Sequence, residues 1–182
     1  MIEFSFFFTE SLVVLGWLLF RLGAYIKYKT VSWKRETFQL LFLINLMVID
    51  RMVFHPMATA NGRILPLVLE TAAVWPFRIN FLPFIYLFDY ESGRDMWLNI
   101  IGNFAMFIPT GIMTPLIYKK LDSFKKTVLT GLAISLAIEI IQLPFASRAS
   151  DIDDLILNTA GCAAGYGILC LIRTVKKAFT KE

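Results

Sequence analysis

The chain has 182 residues, 57% hydrophobic and 18% charged, with a net charge of +4 and a mean hydropathy of +0.64. Soluble domains average about 25% charged residues, so an ordinary water-soluble domain is excluded. The basic residues sit in short flanks between apolar runs rather than on one face, which argues against nucleic acid as a partner. At this length the chain reads as a single membrane domain, 1–182.

Five apolar runs of membrane-spanning length follow in order, at about 4–26, 38–54, 97–118, 127–145 and 154–172. The expected fold class is an all-α integral membrane helical bundle of five transmembrane helices. The first run is expected to be retained rather than cleaved as a signal. It lacks a basic leader, opens with Glu3 and has no small-residue cleavage site. Cys162 and Cys170 both fall in the last run. Eight residues apart on one helix they are separated by about 12 Å, too far to bridge, and read as packing residues.

Orientation follows from lysine and arginine. Lys27, Lys29, Lys34, Arg35, Lys119, Lys120, Lys125, Lys126, Arg173, Lys176, Lys177 and Lys181 fall on one side of a five-span topology. Only Arg63, Arg78, Arg94 and Arg148 fall on the other. The richer side is cytoplasmic by the positive-inside rule, so the N-terminus is expected outside and the C-terminus inside.

Between the second and third spans lies an apolar, aromatic stretch from about 57 to 96, broken by Pro66, Pro76 and Pro83. It is too interrupted to span, and an interfacial helix or a re-entrant segment is expected. Trp75, Tyr86, Tyr90 and Trp97 suit an interfacial belt.

The last three spans carry polar residues where hydrocarbon belongs. Asn99 and Asn103 are four apart in the third, Ser135, Glu139 and Gln142 share a face of the fourth, and Asp151, Asp154 and Asn158 form a stripe into the fifth. Arg148 lies in the turn between the last two. In the expected topology all of these fall toward the outer face. Glu10, Asp50, Arg51 and His55 are further candidates from the first two spans. Such residues are costly in a membrane, and their convergence is a site hypothesis.

Structural roles are equally open for several of them. Asp153 with Ser150 reads as a capping pair or a solvated helix start. Asn99 and Asn103 could simply join helices, Gly161 and Gly165 form a close-packing GxxxG, Asp50 with Arg51 could be an interfacial pair, and His55 could be structural. Pro109 is expected to kink the third helix.

No HExxH, Cys/His zinc spacing, GxSxG or phosphate-binding glycine loop is present. No cofactor is indicated, but Glu139, Asp151 and Asp154 are the oxygen ligands a divalent cation would use. Alternatively Arg148 and Arg51 could pair a phosphate head group. Glu139 is the candidate acid or base, since a desolvated carboxyl can carry a proton near neutrality.

Three pieces together resemble the VanZ-like family. They are INFLPF at 79–84, NIIGNFAMFIPTGIMTPL at 99–116, and SLAIEIIQLPFASRASDIDDLILNTAGCAAGY at 135–166. The motif carries over as Asn80, Pro83, Asn99, Asn103, Pro109, Gly111, Glu139, Gln142, Arg148, Asp151, Asp153, Asp154, Asn158 and Gly161, with no departure at those positions. The resemblance implies a small bacterial integral membrane protein. Its namesake is associated with teicoplanin resistance by a route other than rebuilding the peptidoglycan precursor terminus. No settled biochemical activity comes with it.

The expected function is therefore a binding or accessory role in the cell envelope. Asn99, Asn103, Glu139, Gln142, Arg148, Asp151, Asp154 and Asn158 would form a polar pocket at the outer face. Expected partners are membrane lipid and a lipoglycopeptide or lipid-linked cell-wall precursor, with a homodimer left open by the GxxxG. The alternative is a membrane enzyme acting on an outer-leaflet lipid. A proton-coupled transporter is disfavoured because no inverted repeat is visible.

Overall fold

The structure is a computed structural model that describes residues 2–29, 31–55, 59–60, 63–69, 79–85, 92–145 and 148–180. Five α-helices dominate it: α1 (Phe6–Tyr28), α2 (Trp33–Phe54), α3 (Gly93–Ile117), α4 (Phe124–Gln142) and α5 (Ile152–Phe179). Four of them, α1, α2, α3 and α5, are long and apolar enough to cross a membrane. α4 has 19 residues and holds Lys125, Lys126 and Glu139, so a stretch of it long enough to cross a membrane includes three charged groups. The expected all-α membrane fold is present, with helix boundaries close to those read from the apolar runs.

The chain divides into two compact units. The first comprises residues 1–80 and 140–150, the second residues 81–139 and 151–182.

In the first unit α1 and α2 form a hairpin. Ser5 caps α1, its side chain accepting from the Phe8 N–H at 3.3 Å, and Lys29 ends the helix in the left-handed conformation. Arg21 and Glu36 form an ion pair between the two helices. Most large side chains of α1 are exposed, including Phe7, Leu12, Leu19 and Phe20, and the described interior of this helix is Glu10 alone. That is the pattern of a surface meant for lipid. Ahead of α1, Ile2–Phe4 pairs antiparallel with Leu67–Leu69.

Within the stretch expected to be interfacial or re-entrant, Leu67–Leu69 is extended rather than helical. Pro66 cannot donate a backbone hydrogen bond, and pairing with Ile2–Phe4 satisfies the polar backbone that follows it. Trp75, Tyr86, Tyr90, Pro76 and Arg78 lie outside the described residues. α4 also stops at Gln142, three residues earlier than expected, in a turn around Leu143 and Pro144. The residue before a proline is disfavoured in helical conformation.

The second unit is a three-helix assembly built on α3 and α5. Where these helices meet, three glycines let the backbones touch. A Cβ added to Gly111 would fall inside the Cys162 carbonyl, one on Gly161 inside the Phe104 carbonyl, and one on Gly165 inside the Ile108 carbonyl. The GxxxG read from sequence is thus a close-packing face, and it is filled by α3. The paired positions rise together along both helices, so α3 and α5 run parallel. α3 continues as one helix through Pro109 and Pro115.

α4 lies on another side of α5. Asn158 donates to Ser135 at 2.9 Å, and the Cys162 thiol donates to the Thr127 carbonyl at 3.4 Å. Here the numbers fall as those of α5 rise, so α4 is the antiparallel return between two parallel helices. A Cβ at Gly131 would approach Cys162 Sγ to 2.6 Å. Phe107, Thr110, Thr127, Ser135 and Cys162 are fully buried at this centre. At the other end Arg173 pairs with Asp122 at 2.7 Å.

The glycine seam is directly testable. Gly111→Ala is expected to lower the melting temperature of the detergent-purified protein markedly, since overpacking of this kind costs about 1–3 kcal/mol. Gly167→Ala, where a Cβ meets nothing within 4 Å, is the control and is expected to leave it unchanged.

Candidate functional site

The start of α5 gathers most of the sequence-predicted residues of the second unit. Asp151 is the N-cap, its carboxylate accepting from the Asp153 N–H at 2.9 Å. The same residue's backbone N–H donates to Glu139 Oε2 at 3.0 Å. Glu139 is only 5% exposed, and its carboxyl group is held by the turn that begins α5. A carboxylate placed at a helix N-terminus is also favoured by the helix dipole.

Asp153 was expected to cap or to face solvent, and the structure corrects this. The cap is Asp151, while Asp153 is 4% exposed and accepts the Phe84 N–H at 2.8 Å. Phe84 has φ 63°, unusual for a bulky residue. The Asp153 carboxylate therefore fastens a strained backbone position at the end of the INFLPF element to α5.

A second set joins α3 to α5. Asn103 donates to Asp154 Oδ1, and within α3 it lies 3.5 Å from Asn99 Oδ1. Asn158, one turn further along α5, is buried and bonded to Ser135. Asn99, Asn103 and Asp154 are half-buried. The structure thus brings together Asn99, Asn103 and Asp154 as one group, Glu139 and Asp151 as another, and ties Asn158 to α4.

Gln142 and Arg148 belong to the first unit. Gln142 is buried and donates to the Val53 carbonyl of α2 at 3.1 Å. Arg148 is half-buried. Among the described residues, no group of three or more His, Cys, Asp and Glu side chains is arranged to hold a metal ion. Glu139, Asp151 and Asp154 do not form such a group.

The first unit contains a polar cluster that sequence reading only half found. Asp50 and His55 were candidates, but Thr9 joins them. Its hydroxyl donates to Asp50 Oδ2 at 2.8 Å and lies 2.9 Å from His55 Nε2. His55 is fully buried, its Nδ1 3.3 Å from the Leu65 carbonyl and its ring edge-on to Phe6 at 5.4 Å. Arg51 donates to the His55 carbonyl at 2.8 Å and stands 5.8 Å from the Phe6 ring. Gln39 and Asn45 on α2 are also buried and were not singled out. Thr9 sits beside Glu10 near the start of α1, and His55 ends α2. The two ends of a tight helical hairpin meet, which is the signal that could have found it.

Long apolar helices around a buried network of carboxylates and amides define a multi-pass membrane protein with polar groups fixed inside its helix contacts. The VanZ/LLP1 family model matches residues 12–173, and the chain belongs to that family. Protein VanZ of Enterococcus faecium is 39% identical over 73 residues, which cover 38% of this chain and 45% of that relative. The match therefore spans less than half the length of that relative. No solved structure matches the chain.

Removing the α5 cap should show in stability. Asp151→Ala is expected to cost about 0.5–2 kcal/mol in denaturant or thermal unfolding, and Asp151→Asn much less, because either Asp or Asn can accept at the N-cap.

Proposed function

We propose that this protein is a bacterial cytoplasmic-membrane protein with a binding or accessory role linked to teicoplanin-type glycopeptide resistance. It acts through the polar layer at the starts of α3 and α5 and the end of α4. The observation that carries the reading is Glu139. It is an ionisable group 5% exposed on an apolar helix, held by the N–H of Asp151 within the family's longest motif. Membership of the VanZ/LLP1 family and the likeness to Protein VanZ support the resistance link.

The orientation belongs to the same proposal. Twelve lysines and arginines fall on one side of a five-span topology, which supports a cytoplasmic end of α5 and an outer start of α1. In that orientation the parallel course of α3 and α5 supports a shared outer level for Asn99, Asn103, Asp151 and Asp154. The ligand we propose there is a lipid-linked cell-wall precursor or the polar part of a lipoglycopeptide, with its hydrocarbon part in the surrounding lipid.

Catalysis on an outer-leaflet lipid is the second reading. The Glu139 Oε2 bond to a backbone N–H favours fastening over acid–base work. A divalent cation would serve that second reading. In the binding reading, the melting temperature of the purified protein is expected to be the same with calcium, magnesium or chelator, and a clear metal-dependent rise would favour the enzyme.

Glu139→Gln and Asp154→Asn, expressed at matched levels, are each expected to lose most of the teicoplanin protection given by the unaltered protein. Unchanged protection in both variants, against clear loss without the protein, removes the polar layer from the mechanism. Labelling of single cysteines placed at Lys29 and at Ser92 by an impermeant reagent tests orientation, with only the second expected to react in intact cells.

A further inference from the structure

The first unit contains a groove of about 430 Å³ that neither the family motif nor the polar layer accounts for. That volume is within the range of ligand clefts, about 300–1,000 Å³. Its walls are hydrocarbon and aromatic, from Phe4, Phe8, Leu12, Phe54 and Phe145 among others. Among the described residues that line it, Thr9 and Asp50 are the polar ones and none is cationic.

Two carboxyl groups lie close together at this place. Asp50 is 8% exposed, and one of its oxygens accepts from Thr9. Glu10 is 7% exposed, lies close enough to Asp50 for their charges to interact, and its Oε2 has no hydrogen-bond partner among the described residues. His55 lies near Asp50 across the Thr9 hydroxyl, and Arg51 is engaged by a backbone carbonyl, that of His55. The ring nitrogens of His55 face Thr9 and the Leu65 carbonyl. A buried carboxylate is costly unless a donor or a positive charge reaches it.

We infer that this groove binds a membrane amphiphile with a single hydrocarbon chain and an ammonium head, the chain against Phe8, Leu12 and Phe54 and the head on Asp50. The apolar walls favour an alkyl chain by burial, and the carboxylate favours a cationic donor over an anionic or neutral head. The site is separate from the polar layer on α3 and α5, and stands or falls independently of it.

The test uses the full chain in a neutral detergent, titrated with dodecylammonium, dodecanol, dodecanoate and butylammonium and followed by native mass spectrometry. Dodecylammonium is expected to bind about tenfold or more tighter than the other three, a difference of about 1.4 kcal/mol. Asp50→Asn should abolish the preference for the ammonium head, and Asp50→Glu should restore part of it. Leu12→Trp, which fills the groove from a lipid-exposed position and leaves Asp50 intact, should weaken dodecylammonium binding at least as far. Equal affinities for the three dodecyl probes, tightest binding of dodecanoate, butylammonium as tight as dodecylammonium, or indifference to Leu12→Trp would each overturn the inference. Should Asp50→Asn fail to fold, the head-group series and Leu12→Trp decide it alone.

Discussion

The second unit depends on a backbone contact between α3 and α5. Gly111, Gly161 and Gly165 remove the side chains that would hold these helices apart, and each places its α-carbon against a carbonyl of the other helix. In lipid there is no hydrophobic force to press apolar helices together, so close packing and interhelical hydrogen bonds must do so. Approach at this distance also brings Cα–H groups onto carbonyl oxygens, a weak but repeated attraction. Once the seam is closed, Asn103 is in register with Asp154. The position of α5 in turn sets which of its residues meet α4, with Asn158 on Ser135 and Cys162 on Thr127.

The polar residues are therefore second in order of cause, though they come first to the eye in the sequence. An amide or carboxylate on a membrane helix costs free energy unless partnered. Here the partners come from a packing arrangement made by residues with almost no side chain. Glu139 shows this most plainly, because its hydrogen bond is to the backbone N–H of Asp151, at the turn where α5 begins. The same turn provides the cap and the Asp153 carboxylate that holds the strained Phe84 backbone. One short segment thus serves as helix start, receptor for a buried glutamate and anchor for a loop.

Much of this was legible beforehand because it is local. The five helices follow from apolar length, and the close-packing face from the spacing of Gly161 and Gly165. The pairing of Asn103 with Asp154 was visible only as a shared depth, since 51 residues separate them. Asp153 was misread because a local rule, acid near a helix start, competed with a distant backbone donor at Phe84. Thr9 was missed for a related reason. A threonine within an apolar helix carries no signal by itself, and its partners Asp50 and His55 are 41 and 46 residues away. Gln142 was read on one face with Ser135 and Glu139, but its partner, the Val53 carbonyl, is 89 residues distant.

α5 is longer than a bilayer requires. Its 28 residues make a rod of about 42 Å, against a hydrocarbon layer of about 30 Å. The Arg173–Asp122 pair marks a charged level near its C-terminal end, and Lys176 and Lys177 lie beyond it. Such a helix is anchored from one side, so a change in membrane thickness is taken up at the other, by tilt or by a shift in how deep the opening turn sits. Its polar residues would then meet more or less hydrocarbon according to the lipid around them. A rod of this length is about 12 Å longer than the hydrocarbon layer, so part of it lies outside that layer or is taken up by tilt.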